Sequence, residues 1–117
     1  GVARLLPLMV GLSAARKLTI LGQTIDGHEA HRLGLIAELA PEGEHEAVAL
    51  ALAAEALKGA PLATAAQKQL LDDAMEMSLD AVRHYEIQTT FRLAQTEDHQ
   101  EAKRAFAAKR KPDFKSR

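Results

Sequence analysis

Helix-forming residues dominate this sequence, and glycine or proline interrupts them at short intervals. Aromatic residues make up only 3% of the 117 residues, and alanine and leucine supply most of the apolar side chains. That composition favours helices over strands. A helix does not continue easily through the interruptions, which fall at Gly11, Gly22, Gly34, Gly59 and Pro112. The pattern therefore predicts an all-α chain of about six short helices with at most one short extended segment.

Residues that cap helices stand at the expected starts of several of these segments. Each can accept a hydrogen bond from the backbone N–H groups of a first helical turn. They are Ser13, Asp26, Ser78 and Thr96. Pro61 fits the first position of a further helix, which we expect to pair antiparallel with an Ala/Leu-rich helix over residues 44–57. Residues 35–39 are the one candidate for an extended segment.

Positive charge is concentrated at the C-terminal end of the sequence. Residues 103–117 contain seven Lys or Arg residues and one Asp, a net charge of +6, whereas the whole chain has a net charge of −1. The residues before this end therefore form an acidic body. We expect the basic end to meet phosphate groups or an acidic neighbouring surface, with a solvated tail as the alternative.

The sequence contains no cysteine, which excludes disulfides, thiolate catalysis and cysteine-based zinc sites. The longest nearly uncharged stretch, residues 47–57, is too short to cross a bilayer, and the first residues do not follow a signal-peptide pattern. We therefore expect a cytoplasmic protein with no membrane partner.

Two patterns suggest metal or nucleic-acid binding, and both are weak. His28 and His31 share one face of a predicted helix, but the third ligand and the glutamate of a zinc-protease pattern are missing, so we expect no metal site. Residues 13–33 resemble a helix-turn-helix only in outline. Residues 1–40 carry four basic and three acidic side chains, too small a positive excess for DNA, so we expect no nucleic-acid partner.

The acidic residues are candidates for general acid or base catalysis. The carboxylate pairs at 72–73 and 97–98 fall at predicted helix ends, where capping and solvation explain them. Glu86 differs because it shares an apolar helical stripe with Val82 and Leu93. A buried carboxylate needs a partner, so we expect a structural salt bridge to Glu86 from a neighbouring helix or subunit.

Several segments resemble, in order, the motifs of one protein family. Residues 1–11 are similar to its G-G-x-x-R-L-P-x-x-V-G, residues 21–36 to its L-T-G-x-x-I-x-A-x-E-A-x-x-x-G-L-V, and residues 105–114 to its A-F-x-x-K-R-x-P-x-F. Between them, Lys68 takes the lysine position of its P-x-A helix, and residues 96–98 match its T-E-D cap. On these motifs the chain resembles the C-terminal part of the enoyl-CoA hydratase/isomerase (crotonase) family.

The resemblance implies that residues 1–117 are the C-terminal helical region of a crotonase (ClpP/crotonase-like) fold, without the N-terminal β/α spiral half. In the family this region provides trimerisation surfaces and one wall of the coenzyme A site. Backbone N–H groups form an oxyanion hole for the thioester oxygen, and glutamates act as acid and base. Those groups lie on the spiral half. We therefore assign no catalytic residue in this chain and expect it to be inactive alone.

Two residues match family positions that approach coenzyme A, commonly from a neighbouring subunit. The resemblance places Phe106 near the adenine and Lys109 near the phosphates, where a ring offers a stacking face and an ammonium a point charge. The alternative for Phe106 is a core residue that anchors the last helix.

The activity implied by the resemblance is hydration of an enoyl-CoA thioester, with the thioester as substrate and no separate cofactor. The implied assembly is a homo-oligomer, a trimer or dimer of trimers. An isomerase of the same family remains an alternative, as does a non-catalytic helical module for self-association or acyl-CoA binding. No motif indicates the acyl group.

Overall fold

The computed structural model describes all 117 residues, and it contains six α-helices and no β-strand. The helices are α1 (Val2–Ile20), α2 (Gly27–Arg32), α3 (His45–Ala56), α4 (Pro61–Ala74), α5 (Leu79–Ala94) and α6 (Glu97–Ala107). The predicted all-α class and number of helices are confirmed. Residues 35–39 form bends and irregular backbone rather than a strand. The chain divides into two compact units, residues 1–49 and 50–117.

In the first unit, α1 is broken at Gly11, whose φ of 78° and ψ of 156° are not helical. The apolar segment before Gly11 is helical as well, and it accommodates Pro7. Ser13 lies inside the helical span, so the predicted cap at Ser13 is wrong and the break at Gly11 precedes the second part of α1. A positive φ is accessible to glycine at little cost, which explains the residue type at this break.

Helix α2 has both of the ends that its sequence predicts. The Asp26 side chain accepts a hydrogen bond from the Glu29 N–H at 2.8 Å. At the other end Gly34 takes a φ of 76°, and the Leu35 N–H donates to the Ala30 carbonyl at 2.9 Å. Together these bonds satisfy backbone groups at the helix ends. Ala30 is the buried residue of this helix.

In the second unit, α4 packs on α5 and α5 packs on α6. The buried residues of these helices include Leu70, Thr89 and Ala105, which are 7%, 8% and 1% exposed. Helix α3 has no buried residue and is not one of the packed helices, so the predicted antiparallel pair of α3 and α4 is wrong. The stronger partner of α4 is α5, because the face of α4 around Leu70 meets the face of α5 around Thr89.

Apolar side chains are mostly on the surface. Four apolar residues are buried, whereas nineteen large apolar residues are exposed, among them Ile20, Leu57 and Phe91 at 74%, 81% and 68%. Exposed apolar surface on this scale is typical of faces that contact other protein. No single helix is both long and apolar enough to cross a membrane, and only α3 and α4 taken together as a bent pair reach that length and apolarity.

The neighbouring leucines of α4 test this account of the core. Replacing the buried Leu70 with alanine leaves a cavity between α4 and α5, and we expect the free energy of unfolding to fall by about 2–3 kcal/mol. Leu71 is 62% exposed, so Leu71→Ala should change that free energy by at most about 0.5 kcal/mol. Urea denaturation followed by circular dichroism measures both, and equal effects would contradict the α4–α5 packing.

Candidate functional site

Phe106 and Lys109, the residues predicted to contact coenzyme A, lie together at the C-terminal end of α6. The Lys109 N–H donates to the Phe106 carbonyl at 3.1 Å, so the backbone places the two residues one turn apart. Lys109 is exposed and the Phe106 side chain is 88% exposed. Phe106 therefore does not pack in the core of this chain.

Lys109 occupies a backbone conformation that usually belongs to glycine. Its φ is 52°, in the left-handed region, directly after the last turn of α6. The Arg110 N–H donates to the Ala105 carbonyl at 3.0 Å, which with the Lys109–Phe106 bond completes a Schellman motif. For a residue with a side chain this conformation costs about 1 kcal/mol. Glycine at position 109 would therefore stabilise the turn better than lysine does.

The basic end of the chain is only partly available for phosphate. Four of its seven cations form ion pairs within the chain: Arg104 and Arg110 with Glu101, Lys115 with Asp113, and Arg117 with Glu97. Lys103, Lys109 and Lys111 have no ion pair. The predicted acidic neighbouring surface is thus largely on α6 itself, and the remaining lysines are the cations free to meet an anion.

Asp98 is the most deeply buried polar side chain, at 2% exposure. Its two carboxylate oxygens accept hydrogen bonds from the Lys115 N–H at 2.6 Å and the Ser116 N–H at 2.9 Å. The Asp98 N–H in turn donates to the Arg117 carbonyl at 2.9 Å. The interpretation of Asp98 as a solvated helix-end residue is wrong, because the returning end of the chain covers it.

Glu101 is a second anchor for the same segment, and its side chain is 13% exposed. Both terminal nitrogens of the Arg110 guanidinium donate to its carboxylate, as does the Asp113 N–H at 3.1 Å. The Arg110 hydrogen bonds, followed by the bond from the Asp113 N–H, lower the pKa of Glu101 from 4.5 to about 2. A fork-shaped guanidinium on a carboxylate fixes direction as well as distance.

Glu86 forms no salt bridge to a neighbouring helix of this chain, and a partner from a neighbouring subunit stays a prediction. It is exposed on α5 and has no ion pair or hydrogen bond within the chain. It lies at the edge of the buried stripe, since Thr89 is buried and Leu93 is half-buried. Glu86 borders a shallow apolar groove with Ile87 and Phe91.

The two histidines that the sequence suggested as metal ligands lie on α2. His28 and His31 are exposed, and no group of three His, Cys, Asp or Glu side chains in the chain is arranged to hold a metal ion. Between them, Glu29 forms an ion pair with Arg32 at 2.6 Å. The hydrogen bond from Arg32 lowers the pKa of Glu29.

The Asp98 contacts were missed by the sequence reasoning, although part of the signal was visible. Acidic residues at 97, 98 and 101 face a basic segment that begins at residue 109. Opposite charges at the two ends of one helix are explained by the helix dipole alone. The chain reversal directly after α6, which brings the two groups into contact, has no comparable sequence pattern.

The family model and the similar proteins of known name point to the same protein family. The sequence model of the enoyl-CoA hydratase/isomerase family matches residues 1–117. The chain is 39% identical over 108 residues to 2,3-dehydroadipyl-CoA hydratase of Escherichia coli (strain K12), covering 92% of this chain and 42% of that protein. It is 30% identical over 118 residues to short-chain-enoyl-CoA hydratase of Clostridium acetobutylicum, covering 100% of this chain and 45% of that protein.

The solved structures agree with the sequence comparison. The crystal structure of enoyl-CoA hydratase from Bacillus anthracis superposes with a TM-score of 0.94 at 26% identity, over 100% of this chain and 45% of that chain. The chain therefore spans less than half the length of the relatives it matches.

The pKa of Glu101 is a direct test of its contacts with Arg110. Because the folded pKa is lowered from 4.5 to about 2, the stabilisation is fully present above pH 4.5 and is lost as the pH falls through about 2. A carbon-13 NMR titration of the Glu101 carboxyl should therefore give a midpoint near 2. Arg110→Met should raise that midpoint towards 4.5, and a wild-type midpoint already at the ordinary value would contradict the arrangement.

Proposed function

Because the chain belongs to the enoyl-CoA hydratase/isomerase family, we propose that it is part of an enzyme that adds water across the C2–C3 double bond of an enoyl-CoA thioester. The observation that carries the proposal is the exposed Phe106–Lys109 pair at the end of α6. The names of the relatives, 2,3-dehydroadipyl-CoA hydratase and short-chain-enoyl-CoA hydratase among them, support hydration as the reaction.

The proposed role of this chain is to hold the nucleotide end of coenzyme A. The Lys109 ammonium has no acidic partner in the chain, so it is free to bind a phosphate oxygen with a charge-assisted hydrogen bond. The Phe106 ring is 88% exposed, and stacking an adenine on it would remove apolar area from water. The two side chains start one turn apart, a spacing at which one ligand can contact both.

The proposal places the acid–base chemistry on residues outside this chain. Four carboxylates lie on α6 or on the segment that follows it, at residues 97, 98, 101 and 113, and each accepts hydrogen bonds from the chain's own cations or N–H groups. Glu86 is free, but it lies in an open groove beside an exposed helix face. A general acid or base needs a position within hydrogen-bond reach of the substrate in a site that excludes water.

The exposed apolar faces support an assembly role for the same helices. On α5, Ile87 and Phe91 are 55% and 68% exposed and border one groove. Burying such side chains stabilises an interface by about 1.5–3 kcal/mol each. We propose that these faces contact the rest of the full-length protein or other copies of it, as in a trimer or dimer of trimers.

Substitutions at Lys109 test the coenzyme A contact. Asparagine tolerates the left-handed backbone, so Lys109→Asn in the full-length protein should keep the turn while removing the cation. Losing one charge-assisted hydrogen bond should raise the Kd for coenzyme A by about 10- to 100-fold. Lys109→Arg keeps the charge and should stay within about threefold of wild type.

Isothermal titration calorimetry at fixed ionic strength measures these dissociation constants, and thermal unfolding confirms that each variant is folded. Lys109→Glu adds repulsion and should weaken binding at least as much as Lys109→Asn. An unchanged Kd in Lys109→Asn would remove Lys109 from the site.

An assay of residues 1–117 alone tests the proposal that the acid–base residues lie outside this chain. The isolated chain should show no loss of the conjugated double bond of a 2-enoyl-CoA above the uncatalysed rate, whereas the full-length protein should show turnover. Clear turnover by residues 1–117 would overturn the placement. A full-length protein that converts a 3-enoyl-CoA to the 2-enoyl isomer, without hydration, would replace hydratase by isomerase as the activity.

A further inference from the structure

Residues 110–117, here called the C-terminal strap, run back along α6 towards its N-terminal end. Glu101 holds the start of the strap through Arg110 and the Asp113 N–H. Asp98 holds its end through two backbone N–H groups. Glu97 adds an exposed ion pair to Arg117 at 2.8 Å. The carboxylates belong to the first and second turns of α6, so the strap spans most of the helix.

We propose that Glu101 is a positioning residue for Lys109. By fixing the Arg110 guanidinium, it holds the left-handed turn from which Lys109 presents its ammonium to a phosphate of coenzyme A. This inference rests on the function proposed above, because it assigns Glu101 a role in the same contact. Glu101 itself need not touch the ligand.

The geometry places Lys109 between two fixed points. On one side, its own N–H bond to the Phe106 carbonyl ties it to the last turn of α6. On the other side, Arg110 is held twice: its N–H bonds to the Ala105 carbonyl, and its guanidinium bonds to Glu101. Glu101 and Ala105 are four residues apart and therefore share one face of the helix. The peptide that follows Lys109 cannot rotate without breaking one of these bonds.

The left-handed conformation explains why such a restraint matters. A lysine visits this region rarely by itself, because its Cβ is crowded there. Without the bond between Arg110 and Glu101, the backbone bonds of Lys109 and Arg110 alone oppose fraying of the turn into the extended conformations that lysine prefers. The ammonium would then start from many positions, and binding a phosphate would require ordering both the backbone and a long flexible side chain.

The hydrogen bonds of Glu101 fix the orientation of the Arg110 guanidinium in addition to neutralising its charge. The Arg110 guanidinium donates through both of its terminal nitrogens, and the first of these also donates to the Lys111 carbonyl at 3.0 Å. One guanidinium thus joins α6, the turn and the strap. An ammonium at position 110 could not make the same fork.

A double-mutant cycle in the full-length protein separates positioning from general stabilisation. Glu101→Gln removes the charge but keeps an oxygen for the Asp113 N–H. We expect it to raise the Kd for coenzyme A and the KM for a 2-enoyl-CoA by about three- to tenfold, with kcat unchanged. In the Lys109→Asn background the same exchange should add less than about twofold, because the residue that it positions is already gone.

Two further variants distinguish a positioning effect of Glu101 from a loss of folded protein. Arg110→Lys keeps the positive charge and loses the fork, so it should raise the Kd in the same direction as Glu101→Gln. Glu97→Gln is the matched control, the same exchange on the same helix at an ion pair whose side chains are 68% and 69% exposed, and it should leave the Kd unchanged. A general loss of folded protein would lower the apparent kcat and leave KM unaltered.

The outcomes distinguish this inference from the proposed function. If Lys109→Asn weakens binding and Glu101→Gln does not, the positioning role is wrong and the coenzyme A contact stands. If the effects of Glu101→Gln and Lys109→Asn simply multiply, Glu101 does not act through Lys109 and the inference is overturned. If Lys109→Asn itself leaves the Kd unchanged, the contact and the positioning role both fall.

Discussion

The buried carboxylate of Asp98 determines where the C-terminal end of the chain lies. A carboxylate at 2% exposure would be costly without partners, and here both oxygens accept backbone N–H bonds. The strap therefore has one defined position rather than being a free basic tail. Asp98 holds the end of the strap near the N-terminal end of α6, while Glu101 holds its start through Arg110, the residue that follows Lys109.

The helix boundaries could largely be predicted from the sequence because their causes are local. Asp26, Ser78 and Thr96 cap helices as expected, and each accepts a bond from an N–H three residues later. These bonds need no partner from elsewhere in the chain. The predicted cap at Ser13 is wrong because the positive φ of Gly11 breaks the helix two residues earlier. The break in the backbone, and not a capping side chain, therefore determines where the second part of α1 begins.

The pairing of elements and the burial of individual acids could not be predicted, because both depend on contacts between distant segments. The sequence placed Glu86 in the core and Asp98 in solvent, and the structure reverses them. For Glu86 the helical period was correct, but the position lies at the edge of the buried stripe. For Asp98 the deciding partners are 17 and 18 residues away. The residues of the candidate site, Phe106 and Lys109, came from the family resemblance, and their exposure and backbone geometry required the structure.

The residue type at position 109 connects this geometry with a function. Glycine would end α6 with less strain, since the Schellman turn needs a positive φ and glycine adopts it freely. A lysine there costs free energy and contributes no ion pair to the fold, so folding alone does not explain it. The proposed contact with a phosphate of coenzyme A accounts for a cation at this position, and the hydrogen bonds that Arg110 donates to Ala105 and Glu101 hold the turn. The strained backbone of Lys109 therefore persists because the neighbouring Arg110 is restrained by its hydrogen bonds.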